Sequence, residues 1–92
     1  MKVILTPRAL RDLEAIHKYI SKDSVARANE MVARILRRST QLSEFPESGR
    51  RVPEFGVGNI REVIEPPYRV IYRTKHEAVD VIAIVHSSRR LR

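Results

Sequence analysis

The chain has 92 residues, of which 42% are apolar and 32% charged, the balance of one folded domain with a modest core rather than of a disordered segment. No cysteine is present, which excludes disulfides and thiolate chemistry, and His17, His76 and His86 lack ligand spacing, so no metal or cofactor is expected. The formal charge is +7 and 14 of the 18 cationic residues are arginine, a bias towards phosphate- or carboxylate-bearing partners, either nucleic acid or an acidic protein.

Lys2–Leu5 reads as a short apolar strand. Thr6 supplies an N-cap oxygen and Pro7 a first-turn residue that needs no N–H, so a helix starts there. Its apolar stripe falls at Leu10, Leu13, Ile16 or His17, and Ile20. Ser21-Lys22-Asp23-Ser24 breaks that helix, and Asp23 or Ser24 caps a second. The second carries Ala28, Met31/Val32, Ile35, Leu36 and Leu42 on one side. Arg27, Arg34, Arg37 and Arg38 lie on the other, a solvated basic face. So short a break predicts an antiparallel hairpin.

Phe45-Pro46 through Pro53, continued by Gly56 and Gly58, predicts irregular chain. Strands follow at Ile60–Glu65, then a Pro66-Pro67 turn, then Tyr68–Thr74. A polar Lys75-His76-Glu77 turn leads to residues 79–86, apolar on both faces at the centre and therefore an inner strand. The longest aliphatic run, residues 81–85, is too short to span a membrane. Only Val3-Ile4-Leu5 follows Lys2, so no signal peptide is expected and the cytoplasm is the default location.

The order β-α-α-β-β-β makes residues 1–92 a single α+β domain: an N-terminal strand and an antiparallel two-helix hairpin packed on a small twisted, mainly antiparallel sheet. With Tyr68, Val70 and Tyr72 facing the helices, Arg69, Ile71 and Arg73 lie on a face that nothing covers. If residues 65 and 68 pair, Glu62 and Arg69 share that face and form an ion pair. So small a chain is not expected to bury guanidiniums. The arginines are therefore read as pointing at a partner.

Neither a Gly-rich phosphate loop, a Ser-His-Asp set nor a carboxylate pair at helical spacing is present. What remains is Arg61, Arg69, Arg73, Arg89 and Arg90, with His86, Tyr68 and Glu54. As a catalytic group these arginines would grip RNA phosphates and stabilise the charge that develops when a 2′-OH attacks phosphorus. Glu54, His86 or Tyr68 would supply the base and acid. As a binding surface the same arginines would hold acidic or phosphate-bearing partners without chemistry. Each residue also has a plain structural reading: Glu54 as an exposed loop charge, His86 as a satisfied strand-end histidine, Tyr68 and Tyr72 as core.

Taken together the segments resemble the RelE/ParE superfamily of toxins from type II toxin–antitoxin modules. The resemblance spans nearly the whole chain. It runs through Ala9-x-x-Asp12-Leu13 with Ile16 and Tyr19-Ile20, Ala28, and Leu42-x-x-Phe45-Pro46-x-x-Gly49-Arg50. It continues through Val52-Pro53-Glu54, Ile60-Arg61-Glu62, Tyr68-Arg69-Val70-Ile71-Tyr72-Arg73 and Val85-His86-x-x-Arg89. It implies the same fold and an acidic antitoxin whose flexible segment wraps the basic toxin, operator DNA being reached only through that antitoxin.

The superfamily hosts two activities on one fold. RelE-like members cut mRNA in the ribosomal A site without a metal. Arg69 matches one functional position of those nucleases and Arg89 a second. The lysine pair that precedes the first arginine in RelE has no counterpart, Arg61 being the nearest basic residue, and the late tyrosine would fall beyond Arg92. A variant subgroup uses a loop glutamate, which Glu54 imitates, but its terminal His-Tyr pair is absent. ParE-like members lack the nuclease set and poison DNA gyrase, an activity tied to plasmid stabilisation. The Gly-Arg…Val-Pro-Glu loop, the Arg-Glu before the prolines and the Val-x-His-x-x-Arg ending look more like that branch. A third expectation is a toxin-like protein that only binds its antitoxin as a co-repressor.

Overall fold

A computed structural model describes residues 1–56 and 58–89. Its elements are β1 (Lys2–Leu5), α1 (Pro7–Ser21), α2 (Val25–Thr40), a 3-10 turn at Gln41–Ser43, β2 (Arg50–Arg51), β3 (Ile60–Glu65), β4 (Tyr68–Thr74) and β5 (Ala78–His86). They form one sheet in the order β1-β5-β4-β3-β2. β1 runs parallel to β5 and every other pair is antiparallel. This is the α+β architecture expected, with β5 an inner strand. Among the described residues no helix is long and apolar enough to cross a membrane.

Thr6 joins the first two elements. Its Oγ1 accepts from the Ala9 N–H at 3.2 Å, capping α1, and donates to the Val81 carbonyl at 2.8 Å. The Thr6 N–H donates to that same carbonyl at 3.1 Å. Cap and sheet edge are thus one unit. Ser24 caps α2 by accepting from the Arg27 N–H at 3.1 Å, at an exposed position. Thr6→Ala is expected to cost about 1–2 kcal/mol and Ser24→Ala about half as much. Urea unfolding with an unchanged slope measures both.

The helical stripes differ from the expected ones by small shifts. In α1 the buried residues are Ala9, Leu13 and Ile16, with Ile20 packed at their margin, while Leu10 is half exposed. The small Ala9 lets the first turn approach the sheet, which rotates Leu10 outward. In α2 the buried positions are Ala28, Ile35 and Ser39. Ser39 donates to the Ile35 carbonyl at 2.8 Å, the local bond that makes a buried helical serine tolerable. Leu36 is exposed and Leu42 is buried from the 3-10 turn, beyond the helix end.

Tyr68, Val70 and Tyr72 pack with the helices, as the alternation predicts. The opposite face, however, is not open. The segment after Phe45 is not wholly irregular: Arg50 and Arg51 pair with Glu62 and Arg61, and the chain then crosses beneath the sheet. Val52 forms a second small core there with Ile60, Ile71 and Ala83. Ile71 is fully buried as a result. Glu65 pairs with Tyr68 across the Pro66-Pro67 turn, so Glu62 and Arg69 do share this second face.

Candidate functional site

Beneath the sheet, on the Val52 side, lies a cleft of about 290 Å³ lined by Arg50, Pro53, Glu54, Glu62, Ile64, Arg69 and Ser87. Its centre is Arg69, which is 6% exposed. The expectation that the guanidiniums stay outside fails here, because two carboxylates follow this one in. Arg69 Nε donates to Glu62 Oε1 at 2.5 Å. Nη1 donates to Glu54 Oε2 at 3.0 Å and to the Arg89 carbonyl at 2.8 Å, and Nη2 to Glu54 Oε1 at 3.0 Å. Four of the five guanidinium donors are therefore taken up within the protein. Glu62 is itself completely buried and receives Arg50 Nε on its second oxygen at 2.6 Å. Two cations and two anions alternate, so the cluster is neutral.

The electrostatics follow from that arrangement. Hydrogen bonding to Glu54 raises the Arg69 pKa above its ordinary value; burial opposes this and Glu62 adds to it. Arg69 is locked in the charged form and neutralised in place. Glu54 is not the exposed loop charge that sequence suggested, since it closes a two-pronged bond on Arg69 from the 53–56 turn. The same guanidinium, through the Arg89 carbonyl, ties down the turn that ends β5.

The other sequence candidates lie elsewhere. Arg61 is on the helix side of the sheet with Val63 and Tyr72, where Nη1 donates to the Gly49 carbonyl at 2.9 Å. It does not join Arg69, because odd and even positions of β3 leave opposite faces. Arg73 is exposed near the far end of β4 from Arg69. Arg90 lies outside the described residues. His86 and Arg89 line a wider groove of about 790 Å³ between α1 and the end of the sheet, with Tyr68, Arg8, Asp12 and Tyr19 among its walls. There the Tyr68 and His86 rings meet edge to face, centroids 5.8 Å apart, and His86 Nδ1 accepts from the Ser88 N–H at 3.2 Å. Burial raises the Tyr68 pKa, keeping its phenol neutral. Asp12 reaches from α1 to accept the Ile84 N–H at 2.9 Å.

Sequence reasoning missed Arg50 as a cluster member and Arg8, Asp12 and Tyr19 as groove residues. Arg50 had a signal in the Gly-Arg step, but only the unpredicted β2 pairing places it opposite Glu62. The groove residues repeat at i, i+4 and i+11 on α1. That spacing marks one helix face without saying what stands across from it.

Residues 3–91 match the family model described as the ParE toxin of the type II toxin–antitoxin system parDE. The chain is 36% identical over 89 residues to Toxin RelE2 of Caulobacter vibrioides, covering 96% of this chain and 97% of that protein. A chain from the chromosomal ParDE TA system of P. aeruginosa superposes with a TM-score of 0.78 at 24% identity, over 94% of this chain and 95% of the other. A chain of the toxin–antitoxin complex RelBE2 from Mycobacterium tuberculosis does so with a TM-score of 0.66 at 21% identity, over 92% and 95%. A match across nearly the entire length places this chain in the ParE toxin family of type II toxin–antitoxin systems, within the RelE/ParE superfamily.

Proposed function

We propose that this protein is a toxin that halts growth by poisoning DNA gyrase and is neutralised by an acidic cognate antitoxin. The observation that carries the reading is the state of Arg69. A nuclease of this superfamily needs that arginine facing a scissile phosphate, yet here it is buried, charge-compensated by Glu54 and Glu62, and left with one donor. Arg61 lies across the sheet and cannot assist it. Membership of the ParE family supports the same branch, and neighbours solved within ParDE and RelBE2 assemblies support an antitoxin partner. The net charge of +7 suits that encounter.

A ribosome-dependent, metal-independent mRNA endoribonuclease is the second reading. The groove favours it, because it gathers Tyr68, His86 and Arg89 at one end of the sheet, and so does the name of the RelE2 relative. Pulse labelling in the first minutes after inducing the chain alone separates the two. DNA synthesis is expected to stop first while translation continues, with cleavage complexes accumulating on purified gyrase. His86→Ala with Arg89→Ala is expected to change growth arrest by less than about threefold. An early stop in translation, abolished by those two changes in a folded protein, would establish the nuclease instead.

A further inference from the structure

A second arginine group gathers on the helix side of the sheet, at its β2–β3 edge. Arg51 and Arg61 are direct cross-strand partners, so both side chains leave one face from backbones roughly 5 Å apart. Arg61 reaches the Gly49 carbonyl while the Gly49 N–H donates to the Tyr72 hydroxyl. Arg38, from the last turn of α2, is near enough that its charge, like that of Arg61, acts on the same hydroxyl. Like charges placed directly opposite on paired strands are destabilising. Four arginines of the protein stand beside carboxylates: Arg8 has Asp12, Arg34 has Glu30, Arg50 has Glu62, and Arg69 has two.

These three do not follow that pattern. Arg61 Nη1 donates to the neutral Gly49 carbonyl and Arg38 Nη1 to the Gln41 side-chain oxygen at 3.0 Å. Among the described residues none of the three forms an ion pair within 4.0 Å. Glu47 also acts on the Tyr72 hydroxyl, so one carboxylate stands there against the two cations Arg38 and Arg61. Each guanidinium keeps several N–H donors for an outside ligand.

We propose that Arg38, Arg51 and Arg61 form a contact surface for the sugar–phosphate backbone of duplex DNA. Arginine forks suit phosphate oxygens, and contacts of this kind position a protein without reading sequence. A single strand would need exposed rings to stack on, whereas the aromatic side chain here, Tyr72, is fully buried. An acidic peptide strand would need an edge to extend, and β2 offers only two residues. The surface goes beyond DNA contact through the antitoxin alone. It does not rest on gyrase as the target, because it concerns the isolated toxin.

Fluorescence anisotropy with a mixed-sequence 20-base-pair duplex, across about 50–200 mM salt, tests the surface. Arg38→Glu with Arg51→Glu is expected to weaken binding at least tenfold and to flatten the log–log salt slope by about two, near 0.9 for each phosphate that is no longer neutralised. Arg11→Glu with Arg27→Glu makes the same change of net charge at exposed positions elsewhere and is expected to weaken binding less than threefold. Arg51→Ala alone, a mild surface change, should remove about one unit of slope and guards against misfolding of the double variant. Equal losses in both doubles, no measurable duplex binding by the wild type, or tighter binding of single strands or poly-glutamate would each overturn the assignment.

Discussion

Replacing Arg69 with alanine is expected to destabilise the fold by about 3–5 kcal/mol, a large part of the 5–15 kcal/mol available to a small domain. The change leaves Glu62 with no exposure and Glu54 nearly buried, facing each other with Arg50 as the remaining cation. The Arg50 side chain is 68% exposed, so water screens what it contributes. Arg50→Ala should accordingly cost less than about 1 kcal/mol. Arg69→Lys should rescue little, because one ammonium cannot span two carboxylates and the Arg89 carbonyl at once. Glu62→Leu with Arg69→Met, which removes charges of both signs, is expected to recover at least half the loss. Urea unfolding of the four proteins measures the series. If Arg69→Ala unfolds at the wild-type midpoint, the cluster is not holding the 53–56 turn and the β5 end to the sheet.

The pH behaviour of that cluster carries a sign. Arg69 has a folded pKa above its ordinary value. Its contribution is therefore complete below the unfolded pKa and lost only as pH rises through the folded one, far above neutrality. The arginine side of the cluster is constant over the working range. For the same reason, loss of growth arrest in Arg69→Ala would report a broken fold before it reported a missing catalyst. A toxicity assay on this variant has meaning only beside its unfolding curve.

The elements were legible where local chemistry is strong. Thr6-Pro7 announced α1 and Asp23 or Ser24 announced α2, of which Ser24 is the cap, while the Pro66-Pro67 turn left the β3–β4 register conditional on the pairing of residues 65 and 68 that puts Glu62 and Arg69 on one face. The ion pair followed from that register. What could not be read was the path of the 46–56 segment, because its pairing is long-range and only two residues deep. Val52 carries no mark that sends it under Ile71, and Glu54 none that sends it to Arg69. With the cover missing, Arg69 reads as an exposed cation. Arg61 and Arg69 then look like members of one set, when the strand alternation already separates them once Val63 and Tyr72 are assigned to the helix side. Arg38 and Arg51 stood hidden for a related reason: each looks like an ordinary solvated charge until helix end and strand edge are brought together.

Gly49→Ala is expected to cost about 3 kcal/mol or more, through space rather than backbone freedom. Gly49 is buried, and its backbone φ lies outside the left-handed region, where Gly56 at +68° is found. A Cβ at position 49 would stand 2.5 Å from the Glu62 carbonyl oxygen, 2.6 Å from the Tyr72 hydroxyl and 2.9 Å from Tyr72 Cε1. Neither neighbour can yield cheaply. Glu62 is held in β3 between β2 and β4, and Tyr72 is fully buried between sheet and helices. The Gly49 N–H donates to the Tyr72 hydroxyl at 2.9 Å and its carbonyl accepts from Arg61, so a shift would break both bonds. Overpacking of this kind typically costs 1–3 kcal/mol, and two rigid neighbours put it at the upper end. Tyr72→Phe should not rescue the alanine, since the clash with the Glu62 carbonyl stays. Gly56→Ala meets open space and should cost only about 1 kcal/mol, for its positive φ. The order Gly49 far above Gly56 in thermal or urea melts is the expected result. Because Gly49 leads into Arg51 through Arg50 and its carbonyl holds Arg61, its alanine variant should also weaken duplex binding as that arginine pair shifts. A Gly49→Ala protein as stable as the wild type would mean that the loop does not pack on Tyr72.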